Sequence, residues 1–229
     1  MKALVLSSGG IDSTTCLSLA VNDLGKENVS SISVYYGQKH KKEIEASRKI
    51  AKYYDVQHYE FDLSSIFSFS NCPLLQNSNE KIQHKSYADQ KREANGMVST
   101  YVPFRNGLFL SICASLAMSI YPNEETVIVI GVHTDDAAGN AYADCSGSFI
   151  FNMNQAIKKG TYEKVKIVAP FVNKNKADIV ATGLKLGTPY ELTWSCYEGG
   201  ERPCGTCGTC IDRQKAFELN SVKDPALER

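Results

Sequence analysis

The sequence lacks the features that mark membrane, secreted and nucleic-acid-binding proteins. Its 229 residues contain no apolar run that approaches the roughly 18 residues of a membrane-spanning helix. The 25 basic and 25 acidic residues cancel, so no net field attracts a polyanion. A charged Lys2 is followed at once by an apolar segment, which predicts that there is no signal peptide. We therefore expect a cytoplasmic protein that needs neither a membrane nor a nucleic acid.

A disulfide framework is not expected either. Four of the eight cysteines are scattered along the chain, and the other four fall within fifteen residues near its carboxyl end. In a chain expected in the cytoplasm, such crowding indicates a metal site. Cys196, Cys204, Cys207 and Cys210 are spaced to close a tetrahedral site, and four thiolates favour one structural Zn²⁺ per chain. A [4Fe–4S] cluster takes the same ligands and is the alternative.

A Walker phosphate loop is absent as well, but a different glycine loop follows the first apolar segment. Residues 3–6 predict a buried strand, and from Asp12 onward apolar residues recur at helical spacing. Gly9 and Gly10 between them let the backbone approach a ligand, with N–H groups pointing into one concavity at a helix N-terminus. This arrangement predicts an anion site. An ordinary turn is the alternative for the glycines taken alone.

Strand and helix patterns alternate along the chain, which predicts an α/β fold with a parallel sheet of about five strands and helices on both faces. The predicted strands are residues 3–6, 30–36, 56–61, 126–132 and 165–169. The predicted helices after the first are residues 39–54, 108–121, 149–159, 174–186 and 212–220. We expect one domain over residues 1–190 and a small cysteine-containing segment over residues 191–229. The polar, irregular stretch 62–100 predicts a mobile lid over the site.

Polar residues after the strands are the candidates for ligand binding, because open α/β sheets bind ligands at the carboxyl ends of their strands. Gln38 follows the second strand and is a candidate contact for adenine or substrate, with an ordinary loop glutamine as the alternative. Asp135, Asp136 and Asp144 follow the fourth strand and suit Mg²⁺ or the amidine edge of a purine-like ring. Loop aspartates without such a role are common. His133 is expected to be structural.

Two cations lie at the starts of helices near the same edge of the sheet. Arg105 precedes a predicted helix for which Asn106 is the expected cap. Its guanidinium suits a phosphate or an acidic substrate, and a contact with the helix end is the alternative. Lys176 is expected to reach back to a phosphate, and a surface lysine is the alternative.

Five motifs are informative together: residues 8–13, residues 36–38, residues 102–106, the pair Asp144-Cys145, and the four crowded cysteines. This set resembles the 7-cyano-7-deazaguanine synthases of queuosine biosynthesis, which are N-type ATP pyrophosphatases (PP-loop enzymes) with an adenine nucleotide alpha-hydrolase-like fold. The resemblance implies a ligase that converts 7-carboxy-7-deazaguanine and ammonia into a nitrile. ATP is consumed at two steps, through an adenylated acid and an adenylated amide. Mg²⁺ with ATP, free ammonia and a homodimer are also implied.

The resemblance further implies roles for individual residues. The residues expected to be catalytic are Asp12, Ser13, Arg105 and Lys176. The expected ATP contacts are Ser7, Ser8, Gly9, Gly10, Ile11, Asp12, Ser13, Thr14, Thr15, Cys16, Leu17 and Gln38. The expected substrate contacts are Tyr36, Arg105, Asn106, Asp136 and Asp144. The expected metal ligands are Cys196, Cys204, Cys207 and Cys210.

The chain departs from the family pattern in two loops. Ser7 and Ile11 replace the phenylalanine and glutamine that are frequent in the glycine loop. Ala143 replaces a proline before Asp144, after a longer lead-in over residues 137–140. Two other functions stay open: a tRNA thiolase that uses the same loop with an iron–sulfur cluster, and a nucleotide-binding zinc-ribbon adaptor without turnover.

Overall fold

A parallel sheet forms the centre of the computed structural model, which describes residues 1–93, 98–137 and 141–227. The sheet has five strands: β1 (Lys2–Leu6), β2 (Val29–Tyr35), β3 (Gln57–Asp62), β4 (Thr126–Val129) and β5 (Val165–Val168). Their order is β3-β2-β1-β4-β5, and every pairing is parallel. The predicted sheet is therefore confirmed. The chain order reverses between β1 and β4, and such a switch point is where ligands bind in sheets of this kind.

Helices connect the strands and follow them. They are α1 (Ile11–Leu24), α2 (Lys42–Tyr54), α3 (Ser64–Phe67), α4 (Tyr87–Glu93), α5 (Arg105–Ile120), α6 (Thr134–Ala137), α7 (Gly147–Gly160), α8 (Lys176–Lys185) and α9 (Gly208–Leu219). Short 3₁₀ turns occur at Lys26–Asn28, Ala143–Cys145 and Tyr190–Leu192. Among the helices described, none has the length and apolarity that crossing a membrane requires.

Two separate cores lie on the two faces of the sheet. Leu4 of β1 and Ile128 of β4 are fully buried on one face, together with residues of α5 and α7. Val5 and Val129, the next residue of each strand, are buried on the other face with residues of α1, α8 and α9. Successive strand residues point to opposite faces, so both faces must be covered. The prediction of helices on both faces is confirmed.

Several element boundaries differ from the prediction for local reasons. α2 begins at Lys42 and not at residue 39, because the backbone before it pairs with another segment: Lys39 N–H donates to the Leu74 carbonyl at 2.9 Å. The β-branched run after β4 continues to Val132, but the sheet ends at Val129. There the chain passes against the first turn of α1, and a Cβ on Gly131 would lie 3.0 Å from the Asp12 carbonyl carbon.

The start of α5 corrects a further expectation. The helix begins at Arg105, three residues earlier than predicted, and its N-cap is Phe104 in the left-handed region with φ 52°. Asn106 therefore lies inside the first turn and is not the cap. At the other end of the chain, α9 begins at Gly208 and not at residue 212, which places Cys210 on that helix.

The 62–100 stretch contains more buried structure than its polar composition predicts. Phe67, Leu74 and Leu75 belong to a third core cluster with Val34 of β2 and three of the crowded cysteines. A small number of apolar residues is enough to bury this stretch, because they pack against the sheet edge and the clustered cysteines. The motion expected of this stretch stays a prediction, and its residues 94–97 lie outside the described part, as do 138–140 of the second loop. The proposed boundary between residues 190 and 191 also stays a prediction.

Tyr190 holds α1 and α8 together on the second face. Its hydroxyl bonds to Thr15 Oγ1 of α1 at 2.8 Å and donates to the Ile179 carbonyl of α8 at 3.2 Å. The ring is 1 % exposed. It lies so close to α8 that a Cβ on Gly183 would be 1.9 Å from the hydroxyl oxygen. A glycine at residue 183 is therefore required by packing.

Gly183→Ala tests this packing. We expect it to destabilise the protein by about 1–3 kcal/mol, because the added methyl group overpacks a well-filled core. In a chain of this size that corresponds to a melting temperature lower by roughly 2–4 °C per kcal/mol. Gly160→Ala in α7 is the control, since nothing lies within 4 Å of its Cβ position. Equal melting temperatures for the two variants, measured by calorimetry, would contradict the close packing of Tyr190.

Candidate active site

The loop between β1 and α1 has the geometry of an anion site. Gly9 has φ 76°, and a Cβ there would lie 2.5 Å from the Glu43 carbonyl, so only glycine fits. Gly10 is the N-cap of α1 and provides no side-chain cap, which leaves the first N–H groups of the helix available. Ser13 Oγ lies 3.1 Å from Ser8 Oγ and accepts the Ser8 N–H at 3.1 Å. The loop therefore offers backbone and hydroxyl donors to a phosphate.

The expected ATP contacts separate into two groups. A cavity at the carboxyl edge of the sheet is lined by Ser7, Ser8, Gly10, Ile11, Asp12, Ser13 and Gln38. Gly9, Thr14, Thr15, Cys16 and Leu17 are not among its lining residues. The Thr14 hydroxyl donates to the Gly10 carbonyl at 2.7 Å, and Thr15 Oγ1 is occupied by Ile11 and Tyr190. Cys16 and Leu17 are core residues. As a set, the ATP contacts stay a prediction.

A charged cluster lies beside the glycine loop. Lys176 Nζ, at the start of α8, is 3.2 Å from Asp12 Oδ2. His133, which follows β4 and is 1 % exposed, has Nε2 at 3.3 Å from Asp136 Oδ2 and 3.7 Å from Asp12 Oδ2. Its Nδ1 is 3.9 Å from Asp135 Oδ2. These residues come from the ends of β1, β4 and β5, which the sheet places side by side.

The pKa values of the cluster follow from its pairing. Burial alone raises the pKa of Asp12, but Lys176 and His133 outweigh it and hold that pKa well below its usual range. Burial alone lowers the pKa of Lys176, but Asp12 and Asp136 outweigh it and raise that pKa above the ordinary value. For His133, burial again lowers the pKa, while Asp136 and Asp12 raise it above the ordinary value. The cluster is therefore a set of mutually stabilised charges.

Arg105 forms a second cationic centre in the same cavity. Its guanidinium lies 5.2 Å from the centre of the Tyr36 ring and donates one long hydrogen bond, 3.4 Å, to the Tyr36 hydroxyl. Among the described residues, no carboxylate oxygen lies within 4.0 Å of its nitrogens. Glu43 is nearby, and burial raises the pKa of its carboxyl to about 7 although Arg105 acts to lower it. Arg105 thus lies near Glu43 but forms no ion pair with a carboxylate of the described residues.

Hydrogen bonds to the 3₁₀ turn Ala143–Cys145 hold the first turn of α5 in place. The Asn106 backbone N–H donates to Asp144 Oδ2 at 2.9 Å. In return Asn106 Nδ2 donates to the Asp144 carbonyl at 3.3 Å and to Cys145 Sγ at 3.2 Å. Asp144 is 4 % exposed and does not line the cavity, whereas Asn106 does. These bonds fix the turn that carries Arg105. The substrate contacts expected for Asn106 and Asp144 stay a prediction.

Sequence reasoning missed several residues that line the cavity: Glu43, Tyr87, Tyr142, Trp194 and Tyr197. The Lys- and Glu-rich start of α2 has the composition of a solvated surface, which hides Glu43. Tyr87 lies in the irregular stretch 62–100. Trp194 and Tyr197 flank Cys196, and that proximity to the expected metal ligands is the one signal that was available. His133 was expected to be structural, and it lies in the charged cluster.

The four crowded cysteines come together beside this cavity in an arrangement that could hold a metal ion. Their Sγ atoms all lie within 4.8 Å of one another, and a tetrahedral Zn²⁺ with bonds of about 2.3 Å needs sulfur–sulfur distances of about 3.8 Å. Cys204 N–H donates to Cys196 Sγ, and Cys207 N–H donates to Cys204 Sγ, both at 3.3 Å. Such bonds stabilise thiolates. None of the eight cysteines, all of which lie in the described part, forms a disulfide.

Trp194, the chain's one tryptophan, joins this metal site to the glycine loop. Its backbone N–H donates to the Gly9 carbonyl at 2.9 Å, and its indole N–H donates to the Cys196 carbonyl at 2.8 Å. The Lys42 ammonium lies 4.4 Å from the centre of its ring. Residues 193–207, called the tail segment below, therefore contribute to the wall of the cavity.

Comparison with known proteins identifies the family. The family model "Queuosine biosynthesis protein QueC" matches residues 2–221. This chain belongs to the QueC family. It is 42% identical to the 7-cyano-7-deazaguanine synthase of Archaeoglobus fulgidus, over 99% of this chain and 90% of that protein. It is 40% identical to the enzyme of the same name from Caldicellulosiruptor saccharolyticus, over 98% of this chain and 94% of the other. The resemblance drawn from the five motifs is confirmed.

Solved structures confirm the fold class of this QueC family member. NMN synthetase from Francisella tularensis matches with a TM-score of 0.50 and 14% identity, over 97% of this chain and 78% of the other. The U34-tRNA thiolase NcsA from Methanococcus maripaludis, solved with its [4Fe-4S] cluster, matches with a TM-score of 0.51 and 15% identity, over 96% and 66%. At these identities the likeness concerns the fold alone.

The charge on His133 gives a pH test of the cluster. Its pKa is raised in the folded state, so the stability that protonated His133 contributes is complete below the unfolded value of about 6.5 and is lost as pH rises through the folded pKa. We expect the free energy of unfolding to fall as pH rises above 6.5, by no more than about 1.4 kcal/mol per pH unit for the His133 proton. His133→Gln should reduce this slope, and the part that remains near pH 7 is expected from Glu43, whose carboxyl pKa is raised to about 7.

Urea unfolding at several pH values measures the effect. His84→Gln is the control for loss of an imidazole, because His84 is exposed and lies in the stretch before α4. If the unfolding free energies of the wild type and His133→Gln run parallel from pH 6.5 to 8, His133 is not held charged by Asp12 and Asp136.

Proposed function

We propose that this protein is a 7-cyano-7-deazaguanine synthase, which converts 7-carboxy-7-deazaguanine and ammonia into the nitrile with ATP. The observation that carries the proposal is the presence of two cationic centres in one cavity. Lys176, paired with Asp12, lies beside the glycine loop, and Arg105 lies unpaired among aromatic residues. The first centre suits the phosphates of ATP, and the second suits the carboxylate of an organic acid. The synthase relatives support this assignment.

The chemistry requires two activations, because carboxylate and amide oxygens are poor leaving groups. In each, the substrate oxygen attacks the α-phosphorus of ATP and pyrophosphate leaves. Ammonia then displaces the first AMP to give the amide, and loss of the second AMP gives the nitrile. Both oxygens of the acid thus leave on AMP. The protein's main contribution is to hold the two reactants in line and to offset the charge that develops on the phosphates.

Residues of the charged cluster have the chemistry to hold Mg²⁺ with ATP. Asp12 Oδ1 is buried at the cavity and has no hydrogen-bond partner among the described residues. Carboxylate oxygens are the ligands that Mg²⁺ prefers, so Asp12 and Asp136 are the residues that would hold it. Mg²⁺ there would supply charge neutralisation at the phosphates. Lys176 and the N–H groups of α1 bind and orient those phosphates, and Ser13 adds a hydroxyl.

The cysteine site favours zinc. Four thiolates without a histidine form a closed site, with no position open for a reactant, which is typical of structural Zn²⁺. The second candidate is a thiolase function with a [4Fe–4S] cluster. We retain it because this chain shares its fold with the thiolase NcsA, and four cysteines can also hold such a cluster. We further propose free ammonia as the nitrogen source, a cytoplasmic location and a homodimer. Phe104 and Phe151, which are 55 % and 61 % exposed, suit such an interface.

Product analysis tests the reaction. With ATP, Mg²⁺, ammonium and 7-carboxy-7-deazaguanine, the protein should release AMP and pyrophosphate and form the nitrile, all of which chromatography resolves. We expect Lys176→Met to lower kcat/KM by about 10²–10³-fold, because a fixed cation at the developing charge is lost. Lys174→Met, an exposed lysine two residues earlier, should match the wild type. Release of ADP, or equal rates for both variants, would reject the proposed roles.

Metal analysis separates zinc from iron–sulfur. We expect a colourless protein with one zinc per chain, since a [4Fe–4S] cluster would be brown. Removing the metal with a chelator should unfold the tail segment and shift the emission of Trp194, because the indole donates to the carbonyl of the ligand Cys196. Trp194→Phe is the control: it removes the chain's one tryptophan, so no such shift should be seen. Iron in the purified protein would favour the thiolase.

A further inference from the structure

Three tyrosines from separate parts of the chain converge on one wall of the cavity. Tyr87 is the first residue of α4, Tyr142 precedes the turn that contains Asp144, and Tyr197 follows Cys196. The Tyr87 and Tyr197 hydroxyls lie 2.7 Å apart. The Tyr87 and Tyr142 rings meet edge to face, with their centres 5.9 Å apart. All three residues line the cavity that also contains Arg105.

Packing alone does not require the hydroxyl groups. Tyr87 and Tyr142 are 9 % and 8 % exposed, and phenylalanine would fill the same space. The hydroxyls bond to one another and to a neighbouring threonine: Tyr87 with Tyr197 at 2.7 Å, and Tyr142 with Tyr87 and, at 2.6 Å, with Thr100 Oγ1. Each hydroxyl has one O–H and two lone pairs, so lone pairs remain on the wall and the O–H groups can turn to a ligand.

The Tyr142 hydroxyl stays neutral at ordinary pH. Burial, the largest influence, raises the pKa of Tyr142 to about 12, although bonds to Thr100 and Tyr87 act to lower it. A neutral hydroxyl donates and accepts, which matches a heteroaromatic ring that carries both N–H groups and a carbonyl along one edge. The aromatic faces suit the plane of the same ring.

The carboxylates expected to bind that ring edge have other partners. Asp136 lies 3.3 Å from His133, in the charged cluster. Asp144 accepts the Asn106 N–H and lies outside the lining of the cavity. Glu43 lines the cavity, but it lies after β2, beside Arg105 and Gln38. The hydroxyls of Tyr87, Tyr142 and Tyr197 thus supply polar groups to this wall of the cavity without an ionic partner among the described residues.

We propose that Tyr87, Tyr142 and Tyr197 form the subsite for a planar fused bicyclic ring of the deazapurine class, with the carboxylate of that ligand directed to Arg105. This inference rests on the proposed function and adds the residues that recognise the ring. It also gives the stretch before α5 a role, because Tyr87 is supplied by that stretch.

Calorimetric binding of 7-carboxy-7-deazaguanine tests the subsite without turnover. Tyr142→Phe and Tyr197→Phe should each weaken binding of the acid about five- to tenfold, because each removes a hydrogen bond to the ring. The Kd of ATP should stay unchanged. Pyrrole-3-carboxylate, which keeps the acid and lacks the second ring, should bind the wild type and both variants alike. Tyr162→Phe, which alters a tyrosine that is 86 % exposed, is the control.

The outcomes distinguish the subsite from the reaction. Unchanged affinity for the acid in both variants, equal weakening for acid and ATP, or a loss confined to Glu43→Gln would overturn the subsite. If the wild type binds the acid, and the variants bind it more weakly, but no AMP is formed, the subsite stands and the proposed reaction fails. Melting temperatures and metal content of each variant check that the fold is intact, because tyrosine to phenylalanine keeps the ring but removes a hydroxyl that bonds to its neighbours.

Discussion

The hydrogen bond from the Trp194 N–H to the Gly9 carbonyl is the contact on which the site depends. Gly9 is confined on its other side by α2, where Ser47 Oγ donates to the Ser7 carbonyl at 3.1 Å. The glycine loop is thus held between α2 and the tail segment, and neither β1 nor α1 alone determines its shape. A loop that binds phosphate through backbone N–H groups needs this rigidity, because those groups cannot adjust as side chains do.

The tail that holds Gly9 is itself fixed from α9. The Arg213 guanidinium pairs with Asp224 at 2.6 Å and donates to Thr193 Oγ1 at 2.8 Å and Ser195 Oγ at 3.2 Å, on either side of Trp194. Arg213 and Asp224 are both buried, so their charges require each other. The four clustered cysteines begin at Cys196, directly after this contact. Trp194, Ser195, Tyr197 and Thr209 line the cavity, so this part of the chain contributes to the wall of the site.

The sequence was sufficient to predict those elements whose interactions are local. The β1 strand, the glycine loop, the spacing of the cysteines and the alternation of strands and helices all depend on neighbours within about twenty residues, and periodicity reports such neighbours. The hydrogen bonds between Asn106 and Asp144, the contact of Tyr87 with Tyr197 and the contact of His133 with Asp12 join residues far apart in sequence. Composition and spacing carry no record of those contacts, so the burial of polar segments by distant partners could not be predicted.

The different pairing of the two cations has an energetic consequence for a cavity that must hold two anions. Lys176 already pairs with Asp12, so a phosphate that approaches it shares an ammonium that has one anionic partner. Arg105 has no carboxylate within ion-pair distance among the described residues, and its recorded contacts are the ring and hydroxyl of Tyr36. An acid can therefore form an ion pair with Arg105 without displacing a carboxylate already bound there. This difference supports the proposed placement of the acid at Arg105 and of the nucleotide at the glycine loop.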